Sequence, residues 1–137
     1  MTSLALWLAG AGHFVILVAS AQVPFRLGWR EDLAKLTPFN RKLMWTYGGF
    51  TVLTIVAFGV LTLALHAELM RGDRAALGLA AFIGTYWAIR ILVDLLYFGH
   101  SGWPRGRVFV AGHALLLGLF GALAATYFAV VLRGPQP

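Results

Sequence analysis

The sequence contains no cysteine, which excludes disulfides, thiolate metal sites, iron–sulfur clusters and c-type haem attachment. Charge is scarce as well. Only 12% of the residues are charged, whereas a soluble domain carries about 25% to keep a wetted surface. No phosphate-binding glycine loop, HExxH or Gly-x-Ser-x-Gly occurs. Ser20 lies near the end of an apolar run without a base and acid to activate it. The sequence therefore nominates no catalytic residue, and hydrolysis is unsupported.

What the chain has in excess is apolar surface. Of its 137 residues 60% are hydrophobic, and the mean hydropathy is +0.79. A polar shell cannot be built from this composition, so the expected solvent is lipid and the expected partner is the bilayer. The length suits one domain. The net charge of +6 would suggest nucleic acid in a soluble protein. Here the basic residues sit mostly at the ends of apolar runs and form no stripe along a soluble face. They read as topology determinants and anchors for anionic head groups, and nucleic acid is not an expected partner.

About 20 mainly apolar residues are needed to cross the hydrocarbon core as a helix. Four runs qualify: 4–23, 43–65, 75–98 and 108–132. The first stops at Pro24 and Arg26. Thr37 before Pro38 reads as an N-cap with proline at the first helical position. Gly72 and Asp73 read as a helix stop and the next cap, and Trp103 with Pro104 precedes the fourth run. The expected fold is all-α, a polytopic four-helix transmembrane bundle. Because the loops joining runs two, three and four are short, those helices are expected to be antiparallel neighbours. Ala19-Ser20-Ala21 resembles a signal-peptidase site, but Met1 to Ala11 holds no Lys or Arg, so a retained first span is expected.

Seven basic residues share one face: Arg26, Arg30, Lys35, Arg41 and Lys42 after run one, with Arg105 and Arg107 after run three. Arg71, Arg74 and Arg133 make three on the other. This bias places the basic loops in the cytoplasm and both termini outside a cell membrane. In the first loop Trp29, Leu33, Leu36 and Phe39 alternate with Arg30, Glu31, Asp32 and Lys35, the pattern of a short interfacial segment between helices one and two.

Ionisable groups inside hydrocarbon are costly, so those in the runs mark candidate sites. Tyr86, Arg90, Asp94 and Tyr97 share an arc of about 80° on a helix. This polar stripe should face protein or water, and Arg90 and Asp94, at i and i+4, are expected to pair. His13 and His113 each follow Ala-Gly, and the glycine would let a neighbouring helix approach the imidazole. At 1.5 Å per residue, Asp94 and His113 lie roughly 8 to 9 Å inside the basic-loop face, with Arg90 near 14 Å. Asp94 and His113 are therefore expected to meet. His13, Arg90, Asp94 and His113 form the expected cluster, with Tyr47, Thr51 and Thr54 contributed from the second span. Gly10, Gly118 and Gly121 are further positions for close helix contact.

Two intramembrane histidines suggest haem b, but their expected depths differ by roughly 8 to 9 Å, too much for one bis-histidine site. A non-haem metal would need His100, His113 and Asp94 together, and no metal is assigned. His66 and His100 are expected near opposite membrane faces. In composition the chain resembles small four-span bacterial membrane proteins, a likeness that carries no motif and implies no activity. The leading expectation is a non-enzymatic structural or accessory unit whose His/Arg/Asp cluster organises the bundle or binds a small ligand. An oligomeric transporter or proton-conducting protein, as a homo-oligomer or within a larger membrane complex, is the second. A haem- or quinone-binding redox subunit is the third.

Overall fold

A computed structural model of the chain describes residues 1–98 and 106–137. His100, Trp103, Pro104 and Arg105 lie outside the described residues, and with them the expectations that rested on them. The described residues form helices α1 (Thr2–Ser20), α2 (Val23–Arg26), α3 (Trp29–Ala34), α4 (Pro38–Ala64), α5 (His66–Arg71), α6 (Arg74–Leu96) and α7 (Arg107–Arg133). Four stretches are long and apolar enough to cross a membrane: Thr2–Arg26, Pro38–Ala64, Arg74–Leu96 and Arg107–Arg133.

The expected punctuation is visible at most element ends. Pro24 lacks the N–H that would continue α1 onto Ser20, so a turn at Ala21 and Gln22 precedes α2. Thr37 caps α4, its hydroxyl accepting from the Asn40 N–H at 3.4 Å, with Pro38 in the first turn. Gly72 ends α5 in the left-handed region at φ 75°. Asp73 stands at the N-cap of α6 without a side-chain capping bond and pairs instead with Arg71 at 3.0 Å. Arg41 is no free head-group anchor, because its guanidinium donates to the carbonyls of Leu33, Ala34 and Leu36. It thereby satisfies the orphan C-terminal end of α3.

The helices pack in the order α4, α1, α7, α6, with α1 and α7 in the middle. The second and third spans, expected side by side, pack less closely on each other than on α1 and α7. The connection between them is itself a helix, α5, which carries the chain past the end of α1. His66 donates to the Ser3 carbonyl at 3.1 Å and stacks on Trp7, with ring centroids 4.4 Å apart. Leu69 is fully buried beneath. Helices α4 and α6 meet through side chains, with Phe58 edge-on to Phe82 at 5.8 Å and to Tyr86 at 5.1 Å.

Burial is distributed unevenly along the bundle. Buried positions in α1 end at Ile16, those in α4 begin at Ile55, and those in α7 begin at Phe120. Those in α6 end at Trp87, apart from Asp94. The half that holds both termini is closed. There Arg133 donates to the Met70 carbonyl at 2.6 Å, and the Gln136 N–H donates to the Arg71 carbonyl at 2.8 Å. Gly72 lets this tail approach, since a Cβ there would lie 2.5 Å from the Gly134 carbonyl oxygen. Toward the basic loops the helices separate.

Candidate functional site

Where the helices separate they leave an open-sided cavity of about 810 Å³. Its walls are mainly apolar and include Val15, Ala19, Val108, Leu115, Leu116 and Leu119. Into it come a few polar groups: Arg26 from α2 and Gln22 at its N-cap, Arg90 and Asp94 from α6, and His113 from α7. Phe120 also lines it, and its ring stacks on Trp87 at a centroid distance of 4.7 Å.

The Asp94–His113 contact forms as the depth estimate required. His113 Nε2 lies 3.0 Å from Asp94 Oδ2, with Asp94 6% exposed. The short connection and the close packing of α6 on α7 place these side chains opposite one another. Arg90 does not join them. It makes no ion pair with Asp94, which corrects the expected i, i+4 pair, and its guanidinium carbon lies 5.9 Å from the Phe98 ring centroid.

The rest of the stripe divides for a geometric reason. The buried face of α6 comprises Ala76, Ala80, Ile83, Gly84, Trp87 and Asp94. On a helical wheel this arc centres about 100° from Tyr86. Asp94 falls inside the arc, whereas Tyr86, Tyr97 and Arg90 fall at its shoulder, within about 40° of each other. Tyr86 is accordingly half-buried and packs edge-on to Phe58 and Trp87. Tyr97, beyond the end of α6, is 81% exposed.

His13 occupies a different place from the one expected. It is fully buried in the closed half. The Trp87 indole N–H donates to its Nε2 at 3.0 Å, and its Nδ1 lies 2.8 Å from the Ala9 carbonyl. An indole can only donate, so Nε2 accepts and Nδ1–H donates. The Phe58 and Tyr127 rings stand around the imidazole at 5.9 and 6.0 Å. The four-residue cluster is therefore two separate sites, Asp94–His113 at the cavity and His13–Trp87 in the core. Haem ligation does not fit this arrangement, because both nitrogens of His13 are engaged and the two histidines do not share a site. Among the described residues no three metal-ligating side chains converge.

Other expected contributors lie elsewhere. Tyr47 is 62% exposed. Thr51 and Thr54 turn their hydroxyls back to the carbonyls of Tyr47 and Phe50. None reaches the cavity, because the first half of α4 stands clear of α6 and α7. Of the glycines singled out, Gly10 is closely packed, its hypothetical Cβ falling 2.6 Å from Leu63. Gly112, Gly118 and Gly121 face open space, and Gly112 lines the cavity.

Sequence reasoning passed over Trp87, Thr62 and Tyr127. Thr62 donates to the Phe58 carbonyl at 2.7 Å, which leaves Tyr127 to donate to the Thr62 hydroxyl at 2.6 Å. Trp87 and Tyr127 were legible in principle, since a buried indole or phenol needs a polar partner. Compared with known protein families, curated proteins and solved structures, the chain matches none.

Proposed function

We propose that the chain is a four-span membrane protein that holds a small amphipathic molecule in the cavity at its basic-loop end. The observation that carries this reading is the cavity itself: apolar walls with a few convergent polar groups are the usual composition of a small-molecule site. The Asp94–His113 pair would orient the polar end of the ligand, and the closed half of the bundle would serve as the rigid support. A proton-conducting role uses the same pair but needs a polar continuation beyond Phe120, where the Phe120–Trp87 stack and the saturated His13 stand instead.

Gly112 gives a test that adds bulk without an initial clash, because a Cβ there meets open space. Native mass spectrometry of the purified full chain, incubated with a neutral single-chain monoacylglycerol, should show one retained molecule. The Gly112→Leu variant should retain none. Equal retention by both would overturn the cavity reading.

The proposed topology puts the loop around Lys35 in the cytoplasm and Pro137 outside. Its support is the bias of seven basic residues against three. A cysteine introduced at position 35 should resist an impermeant thiol reagent in intact cells, while one at 137 should react. The reverse pattern would invert the orientation.

A further inference from the structure

Around the cavity the charges do not balance. Among the described residues that line it, Arg26 and Arg90 are the cations and Asp94 the one acid, and the Asp94 carboxylate is already engaged by His113. Of the other cations at this end of the bundle, Arg41 is committed to helix carbonyls and Lys35 to Asp32 at 2.9 Å. Arg26 donates through Nε to Gln22 at 3.1 Å. Arg90 makes no ion pair among the described residues. Its guanidinium extends toward Phe98, so the long side chain carries its charge from mid-helix toward the end of the bundle. A guanidinium presents paired N–H groups that match the geometry of a phosphate.

Building on the cavity reading above, we infer that the bound molecule is a membrane lipid with an anionic phosphate head group. Arg90 and Arg26 hold the phosphate, and the acyl chain runs along the apolar wall formed by Val15, Leu116 and Leu119. The positive balance of the lining selects an anion. The apolar wall selects an acylated anion over a free one, because inorganic phosphate would leave that wall without a partner.

The test uses the delipidated full chain in a neutral detergent, with the thermal unfolding midpoint read against added phosphatidylglycerol, phosphatidylcholine of the same chains, and inorganic phosphate. Phosphatidylglycerol should raise the midpoint most, phosphatidylcholine should raise it less, and inorganic phosphate should leave it nearly unchanged. Arg90→Gln should weaken the apparent affinity for phosphatidylglycerol about tenfold or more, the loss of a charge-assisted bond. Arg26→Gln, at an exposed position, should shift it in the same direction and covers the case in which the Arg90 variant folds poorly. Gly112→Leu should abolish the response. Equal responses to both lipids, abolished by Gly112→Leu, would overturn the anionic head group and leave the cavity reading standing. A phosphatidylglycerol response that is insensitive to both arginine variants would do the same. A full response to inorganic phosphate would assign the site to a soluble anion and overturn the lipid. A lipid response that survives Gly112→Leu, or none to any lipid, would remove the cavity reading and this inference together.

Discussion

His13 is held in one tautomer by two partners of fixed role, an indole that can only donate and a carbonyl that can only accept. Removing the donor leaves a buried acceptor without a bond, which costs about 1–3 kcal/mol. Trp87→Phe keeps much of the ring packing and should lower stability in detergent by about that amount. His13→Phe in the Trp87→Phe background should add less than it does alone, which a double-mutant cycle of unfolding free energies would read out. Strict additivity would mean that the hydrogen bond contributes nothing. At the cavity, the cycle should couple Asp94 with His113. His113→Leu leaves a largely buried carboxylate unpaired, and adding Asp94→Asn should recover part of that loss. The interaction energy should fall at about 0.5–3 kcal/mol, against near zero for Arg90→Gln with Asp94→Asn. Coupling of 90 with 94 and not of 94 with 113 would restore the pair that sequence spacing suggested.

Helix by helix, close approach depends on a few glycines and not on all of them. A Cβ on Gly59 would lie 2.8 Å from the Phe14 ring and 3.2 Å from the Gly10 carbonyl oxygen, so α1 and α4 touch there almost backbone to backbone. Gly59→Ala should destabilise by about 1–3 kcal/mol through overpacking. Gly118→Ala, which meets nothing, should be neutral or stabilise by up to about 1 kcal/mol through helix propensity. Thermal midpoints of the two variants should move in opposite directions or differ by several degrees; equal shifts would contradict the α1–α4 contact. The sequence announced where these elements begin and end, because Thr37, Pro38, Pro24 and Gly72 act through the local backbone. It did not announce which faces meet. The four long helices are apolar nearly all round, so hydropathy fails to separate a protein-facing side from a lipid-facing one, and it did not show that α4 packs most closely on α1. Spacing along α6 likewise placed Asp94 near Arg90 but could not weigh that contact against one from α7. Only the depth argument, which treats two helices at once, reached the Asp94–His113 pair.

At the scale of the whole molecule, a bundle fastened at one end has the mechanics of a pair of tongs. The short α5, the His66 contacts and the docked C-terminal tail act as the rivet. Helix α4, 27 residues long, extends about 40 Å from it, and a tilt of only about 5° there would carry the far tip roughly 3.5 Å. Stiffness should therefore fall along the helix axes from the rivet to the tips. Spin labels at Leu43 and Val110, near the tips, should give a broad distance distribution, and labels at Leu61 and Leu132, near the rivet, a narrow one. Equal widths would mean that the tips are braced by something other than their own packing. A jaw of this kind grips with a force set at the hinge, so substitutions around Leu69 and Gly72 should alter how firmly the distant cavity holds its contents without touching them.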